Sequence, residues 1–165
     1  MKRTKMVLFG VIAAIAVLGA AKLSVSKERS AADRNAALGR RVFTEIYGDG
    51  KLELIDQLYA EDFVDDSPGG GRGRELIKAA IKEFHKTCPD LRMEIEDVFA
   101  TDDKVVIRYT GHGTQTGAYG EIPATGKAVN VRGITVFLIK DGKIKTEWTE
   151  YDRLGMLRQL GVIPS

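Results

Sequence analysis

The hydrophobic pattern of this chain changes period once, near Leu91, and that switch limits the folds open to it. Before Leu91, Leu38, Val42 and Ile46 recur four apart, joined by Phe43 and Tyr47, which makes one apolar helix face. Ser30, three residues before Asp33, resembles a capping box with Asp in place of Glu, and Gly48-Asp49-Gly50 closes the helix. Leu52, Ile55 and Leu58 predict a second, short helix, after which Phe63-Val64 leads into a Gly-rich loop from Asp65 to Gly73. Leu76, Ile77, Ala80, Ile81 and Phe84 predict a third helix that stops at Pro89. Beyond Leu91 the pattern alternates. Met93, Ile95 and Val98 mark a first strand, Asp102-Asp103 a turn, 104–114 a second strand, 128–139 a third and 143–151 a fourth. Asp141-Gly142 is a hairpin signal, and a last short helix around Leu154, Leu157 and Leu160 ends at Gly161. Helices first and long antiparallel strands afterwards predict an α+β fold, with helices on one face of a curved four-stranded sheet.

The N-terminus stands apart. Lys2, Arg3 and Lys5 precede an apolar run from Met6 to Ala21, a charged region followed by a hydrophobic one. This predicts either a cleaved signal peptide or a retained membrane anchor over residues 1–21, with a polar tether over 22–32 and one domain over 33–165. Either form places the domain outside the cytoplasm. The chain of 165 residues carries a formal charge of only +2, which gives no nucleic-acid footprint. Two His and one Cys offer no metal-ligand spacing, and Cys88 reads as a buried structural thiol.

Several segments together resemble a known family. The run Phe63-Val64-Asp65-Asp66-Ser67-Pro68, the helix end Cys88-Pro89-Asp90-Leu91 and the segment GTQTGAYGEIPATGK (Gly113 to Lys127) are similar to SnoaL-like polyketide cyclases. So are DGKI from Asp141, EWTEYD from Glu147 to Asp152, and LRQLG from Leu157. Members are also known as ester cyclases and share the cone-shaped nuclear-transport-factor-2-like fold. The resemblance implies a pocket between helices and sheet that holds a small, largely apolar carbonyl compound. It also implies ring closure by a pocket carboxylate acting as general acid and base, without metal or organic cofactor, and dimerisation through the outer sheet face.

This sequence departs from the family pattern where the chemistry sits. The resemblance places the catalytic Asp directly after the tryptophan of the last strand, and here Trp148 is followed by Thr149. A hydroxyl does not exchange protons near neutral pH. Gln115 stands where the family often has His, and Asp66 replaces the His of an FVDHSP-like run. Strand alternation puts Lys145, Glu147, Thr149 and Tyr151 on one face. Glu147 is the nearest carboxylate there, ~7 Å along the strand from Thr149, which reads as too far to replace it directly. Asp66 and Glu147 are the candidate proton carriers, with turn capping and a rim charge as their ordinary roles. Gln115, Thr149, Tyr59, Phe63 and Tyr119 are the candidate ligand contacts. Trp148 and His112 fall on the opposite face, and His85 reads as solvated.

Three functions fit this reading. One is a cofactor-independent cyclase, isomerase or hydrolase acting on a small apolar carbonyl compound. Another is a binding module that kept the cavity and lost the chemistry. The third is a dimeric interaction domain with a filled cavity.

Overall fold

A computed structural model describes residues 30–164. The predicted signal or anchor segment lies outside them, and no helix among the described residues is long and apolar enough to cross a membrane. Helix α1 (Ala31–Arg41) starts at Ser30, whose hydroxyl accepts from the Asp33 amide while the Asp33 carboxylate accepts from the Ser30 amide. Without interruption the chain then widens into a π-helical segment, Val42–Gly48. A 3-10 turn (Leu52–Leu54) and α2 (Ile55–Leu58) follow, then β1 (Tyr59–Asp65) and α3 (Arg74–Thr87). The second half is β2 (Arg92–Ala100), β3 (Lys104–Thr114), β4 (Ala128–Lys140), β5 (Lys143–Tyr151) and α4 (Arg153–Leu160).

The sheet has five strands, not four, in the order β1-β5-β4-β3-β2. The additional strand β1 lies parallel to β5, while the other pairings are antiparallel. Its sequence shows no alternation of its own because it is an edge strand whose two ends do different work. Tyr59 and Phe63 enter the core, and Asp65 reaches the register position beside Glu147. Arg74 at the start of α3 donates from Nε and Nη2 to the Tyr59 carbonyl, fastening β1 to that helix. A Gly-rich loop near a helix start would allow an anion site, but this Arg is spent on the backbone.

Hydrophobic burial builds the core between the helices and the inner sheet face. Val42, Phe43 and Ile46 meet Val105, Ile107, Phe137, Ile139 and Ile144, and all are buried. Gly39 lets α1 lie directly on β3, since a Cβ there would press on Val105 and Ile107. Phe84, predicted to be core, is instead partly exposed, with its ring lying 6.2 Å from that of Tyr47.

One irregularity in the hairpin decides which side chains face inward. The β4–β5 register shifts after Leu138↔Thr146, so that Ile139 pairs with Ile144 and Lys145 is left as the extra residue. Simple alternation put Lys145 on the same face as Glu147. The bulge turns it out to pair with Asp62 and sends Ile144 into the core. Beyond the bulge the alternation resumes with Glu147, Thr149 and Tyr151 on the inner face.

Candidate functional site: a buried carboxylate on the inner face of β5

Glu147 is 4% exposed, which overturns its reading as a rim charge. Its inner-face neighbours follow from register: Phe137 lies directly opposite on β4, and Thr135 opposite Thr149. Glu147 Oε1 accepts from Tyr47 Oη at 2.8 Å and from Thr149 Oγ1 at 3.0 Å. Thr149 Oγ1 in turn lies 2.7 Å from Thr135 Oγ1. The ~7 Å separation along the backbone is therefore bridged by the length of the glutamate side chain, whose carboxylate comes to rest against the Thr149 hydroxyl. Thr149 points inward as expected, but into this network.

Aromatic rings close around the carboxylate. Phe43 stacks on Tyr47 with centroids 5.2 Å apart and contacts Tyr109 at 4.8 Å, and Tyr59 meets Phe63 edge-on at 4.9 Å. Burial in this setting pushes the Glu147 carboxyl up to about 7, helped by the negative charge of Asp65. The hydrogen bonds from Tyr47 and Thr149, and the nearby Tyr59 hydroxyl, pull the other way. Burial likewise lifts the Tyr47 and Tyr59 phenols well above their ordinary value, so both remain neutral donors.

Two polar side-chain atoms among the described residues are buried without a hydrogen-bond partner: Glu147 Oε2 and the Tyr59 hydroxyl. Tyr59 favours the ionised form of Glu147, but it does so without a hydrogen bond of good geometry. An orphaned acceptor and an orphaned donor thus lie in one buried cluster. The pocket that the family resemblance implied does not reach them. Two surface pockets among the described residues are lined by residues such as His112 and Asn130, and Tyr109 and Tyr151. Neither is lined by Glu147, Thr149 or Tyr59, because aromatic side chains fill the space between helices and sheet.

The other predicted residues fall elsewhere. Gln115 is 1% exposed and uses all its bonding capacity on its own loop. Its Nε2 donates to the Gly117 and Pro123 carbonyls, and its Oε1 accepts from the Thr125 amide and hydroxyl. The Asp66 carboxylate accepts from the Trp148 indole at 2.7 Å, on the far side of β5 from Glu147. Its backbone amide donates to the Glu147 carbonyl, and Ser67 Oγ accepts from the Thr149 amide, so this run laces β1 to β5. Phe63 is fully buried beside Tyr59. Tyr119 sits at the loop tip, its hydroxyl 3.0 Å from that of Tyr151. His112 bonds Asn130 and Glu94 on the outer face. The sequence reading left Tyr47 with the core aromatics and missed Thr135. Tyr47 was hidden among the apolar residues of its helix face, and Thr135 is recognisable only once the β4–β5 register is known.

Helices packed on one face of a five-stranded mixed sheet give the nuclear-transport-factor-2-like fold. The family model described as SnoaL-like polyketide cyclase matches residues 37–160, and the chain belongs to that family. Among solved structures, TsrD from Streptomyces laurentii is 33% identical with a TM-score of 0.73, covering 79% of this chain and 96% of its own. A candidate polyketide cyclase from Bacillus cereus is 32% identical with a TM-score of 0.68, covering 79% of this chain and 83% of its own. IdmH from Streptomyces antibioticus, also a candidate polyketide cyclase, is 26% identical with a TM-score of 0.69, covering 77% and 98%. No curated protein matches the chain.

Proposed function

We propose that this protein is a cofactor-independent acid–base catalyst of the cyclase or isomerase type, acting on a small, largely apolar carbonyl compound, with Glu147 as the proton carrier. The observation that carries the reading is the contact of Glu147 Oε1 with Thr149 Oγ1 at 3.0 Å. A carboxylate with a midpoint of about 7 thus occupies the neighbourhood where relatives keep their acid, reached from two residues earlier on the strand. A group that titrates near neutral pH both accepts and returns protons efficiently.

In this scheme the substrate parts the aromatic rings packed over Glu147; Oε2 then removes a proton from the carbon next to the carbonyl, and the Tyr59 hydroxyl holds the enolate oxygen. In a cyclase the enolate carbon then forms the new bond to a second carbonyl carbon. The resulting alkoxide takes the proton back from Glu147, so the protein ends unchanged. Support for a homodimer comes from the outer sheet face, where Phe99, Val106, Val136 and Trp148 form one register row across four strands. The basic and apolar N-terminal run supports placement outside the cytoplasm, tethered to the membrane if it is retained.

The test is deuterium incorporation into small apolar β-diketones incubated with the protein in heavy water. Glu147→Gln should lower the rate by roughly 10²-fold or more while leaving the fold intact. Exchange by the variant at the parent rate would remove Glu147 from the chemistry.

A further inference from the structure

The hydrogen bond to Glu147 comes from an unusual piece of helix. Seven residues, Val42–Gly48, are π-helical, and the ladder ends irregularly. Asp49 donates to the Thr44 carbonyl, Gly50 to Ile46 and Lys51 to Glu45. Within this wider turn the rings of Phe43 and Tyr47 stack with an interplanar angle of 16°. It carries the Tyr47 hydroxyl to Glu147 Oε1 and leaves the Tyr47 carbonyl at the end of the ladder. That carbonyl is met by His85 Nε2 at 3.0 Å, from the last turn of α3. A carbonyl only accepts, so this contact fixes the ring with its proton on Nε2. The positive φ of Gly50 brings the chain past the same imidazole. His85, which reads as solvated in the sequence, is thus tied into the frame of the site.

We propose that Tyr47 is a positioning residue for Glu147, held in place by His85 through its backbone carbonyl, so that the π-helical turn sets the orientation and proton affinity of the carboxylate. The proposal deepens the acid–base reading and rests on it for its catalytic meaning. Tyr47 bonds Oε1 and so leaves Oε2, the oxygen without a partner, as the one free to take up a proton. The other titratable groups facing Glu147 are Tyr59 and Asp65 from β1 and Tyr109 from β3, with Thr149 and Thr135 as neutral partners. Of these, Tyr47 and Thr149 make the hydrogen bonds to the carboxylate, and Tyr47 alone belongs to the helical layer. Removing its hydroxyl takes away a donor that favours the ionised form.

The experiment follows the Glu147 carboxyl by NMR in protein carrying isotope-labelled glutamate, using Glu147→Gln to assign the resonance. Tyr47→Phe should move the midpoint upward by about one pH unit, the worth of one such hydrogen bond. His85→Ala keeps the hydroxyl but frees the carbonyl, and should move the midpoint the same way by a smaller amount. An unmoved midpoint in Tyr47→Phe overturns the proposal. If that variant is too unstable to titrate, His85→Ala decides alone, and an unmoved midpoint there overturns it equally. The measurement uses the resting protein without substrate. Its failure is therefore distinct from failure of the catalytic reading, which turns on exchange by Glu147→Gln.

Discussion

At the scale of single residues, Glu147 makes stability depend on pH in a direction opposite to most carboxylates. Its midpoint rises from 4.5 to about 7 on folding, because the folded state buries it in aromatic surroundings. Between those values the native state holds a proton that the unfolded chain has released. Its contribution is therefore complete below about pH 4.5 and is lost as pH rises through about 7, a change on the order of 3 kcal/mol. Glu147→Gln cannot ionise, and its carbonyl oxygen still accepts from Tyr47 and Thr149. The variant should match the parent near pH 4 and exceed it in stability near pH 8. Denaturant unfolding across that range checks it, and parallel curves at every pH would contradict the assignment. Thr149→Asp, which sets a second carboxyl beside Glu147, should act the other way. Two acids within hydrogen-bond reach in one buried cluster cannot both ionise cheaply, so stability near pH 8 should fall below the parent by about 2 kcal/mol or more.

At the scale of elements, the loop between β3 and β4 is tied to α3 by Thr87 and closed on itself by the Gln115 side chain. Gln115 joins Gly117, Pro123 and Thr125, and Gln115→Ala would leave the Gly117 and Pro123 carbonyls and the Thr125 amide without these partners. The expected cost is about 2 kcal/mol, with faster protease cleavage within 116–126 and little change elsewhere. Cleavage at the parent rate would mean that the loop is held by other contacts, such as Tyr119 with Tyr151. Elements with strong local signals were legible in the sequence. The Ser30 cap, strands β3 and β5 and the Gly161 stop appear where the pattern predicted them. What escaped was written in non-local pairing. Strand β1 finds its partner more than eighty residues away in β5, the bulge at Lys145 reverses one step of alternation, and π-helical widening has no composition of its own. The site was half legible for the same reason. Parity put Glu147 and Thr149 on one face correctly. The burial of Glu147 depends on Tyr47 and Tyr59, which come from a helix and a strand that parity on β5 does not address.

At the scale of the whole molecule, the two faces of the sheet have opposite characters. The inner face is covered by helices. The outer face exposes an apolar row, Phe99–Val106–Val136–Trp148, directly behind the row of Val105, Phe137 and Glu147. Phe99 is 66% exposed, and Ile134 extends the patch at 46%. Charges of both signs flank it: Arg108 is paired with Glu96 and Asp97 on one side, and Lys104 lies on the other. A surface with an apolar centre and a mixed-charge rim suits an isologous contact, in which a two-fold axis sets the row across its own copy. Covering a sheet face commonly removes about 800 Å² per partner from water, enough for a stable dimer when the centre is apolar. Val136 lies centrally in that row and opposite Trp148. Val136→Lys would place a charge at the point of closest approach of two copies without disturbing Glu147 on the other face. Sedimentation should show the parent as a dimer and the variant as a monomer with an unchanged circular dichroism spectrum. The Glu147 midpoint should hold in both, since this carboxylate and its hydrogen-bond partners come from one chain. A parent that sediments as a monomer at micromolar concentration would leave the apolar row to some other covering and remove the homodimer.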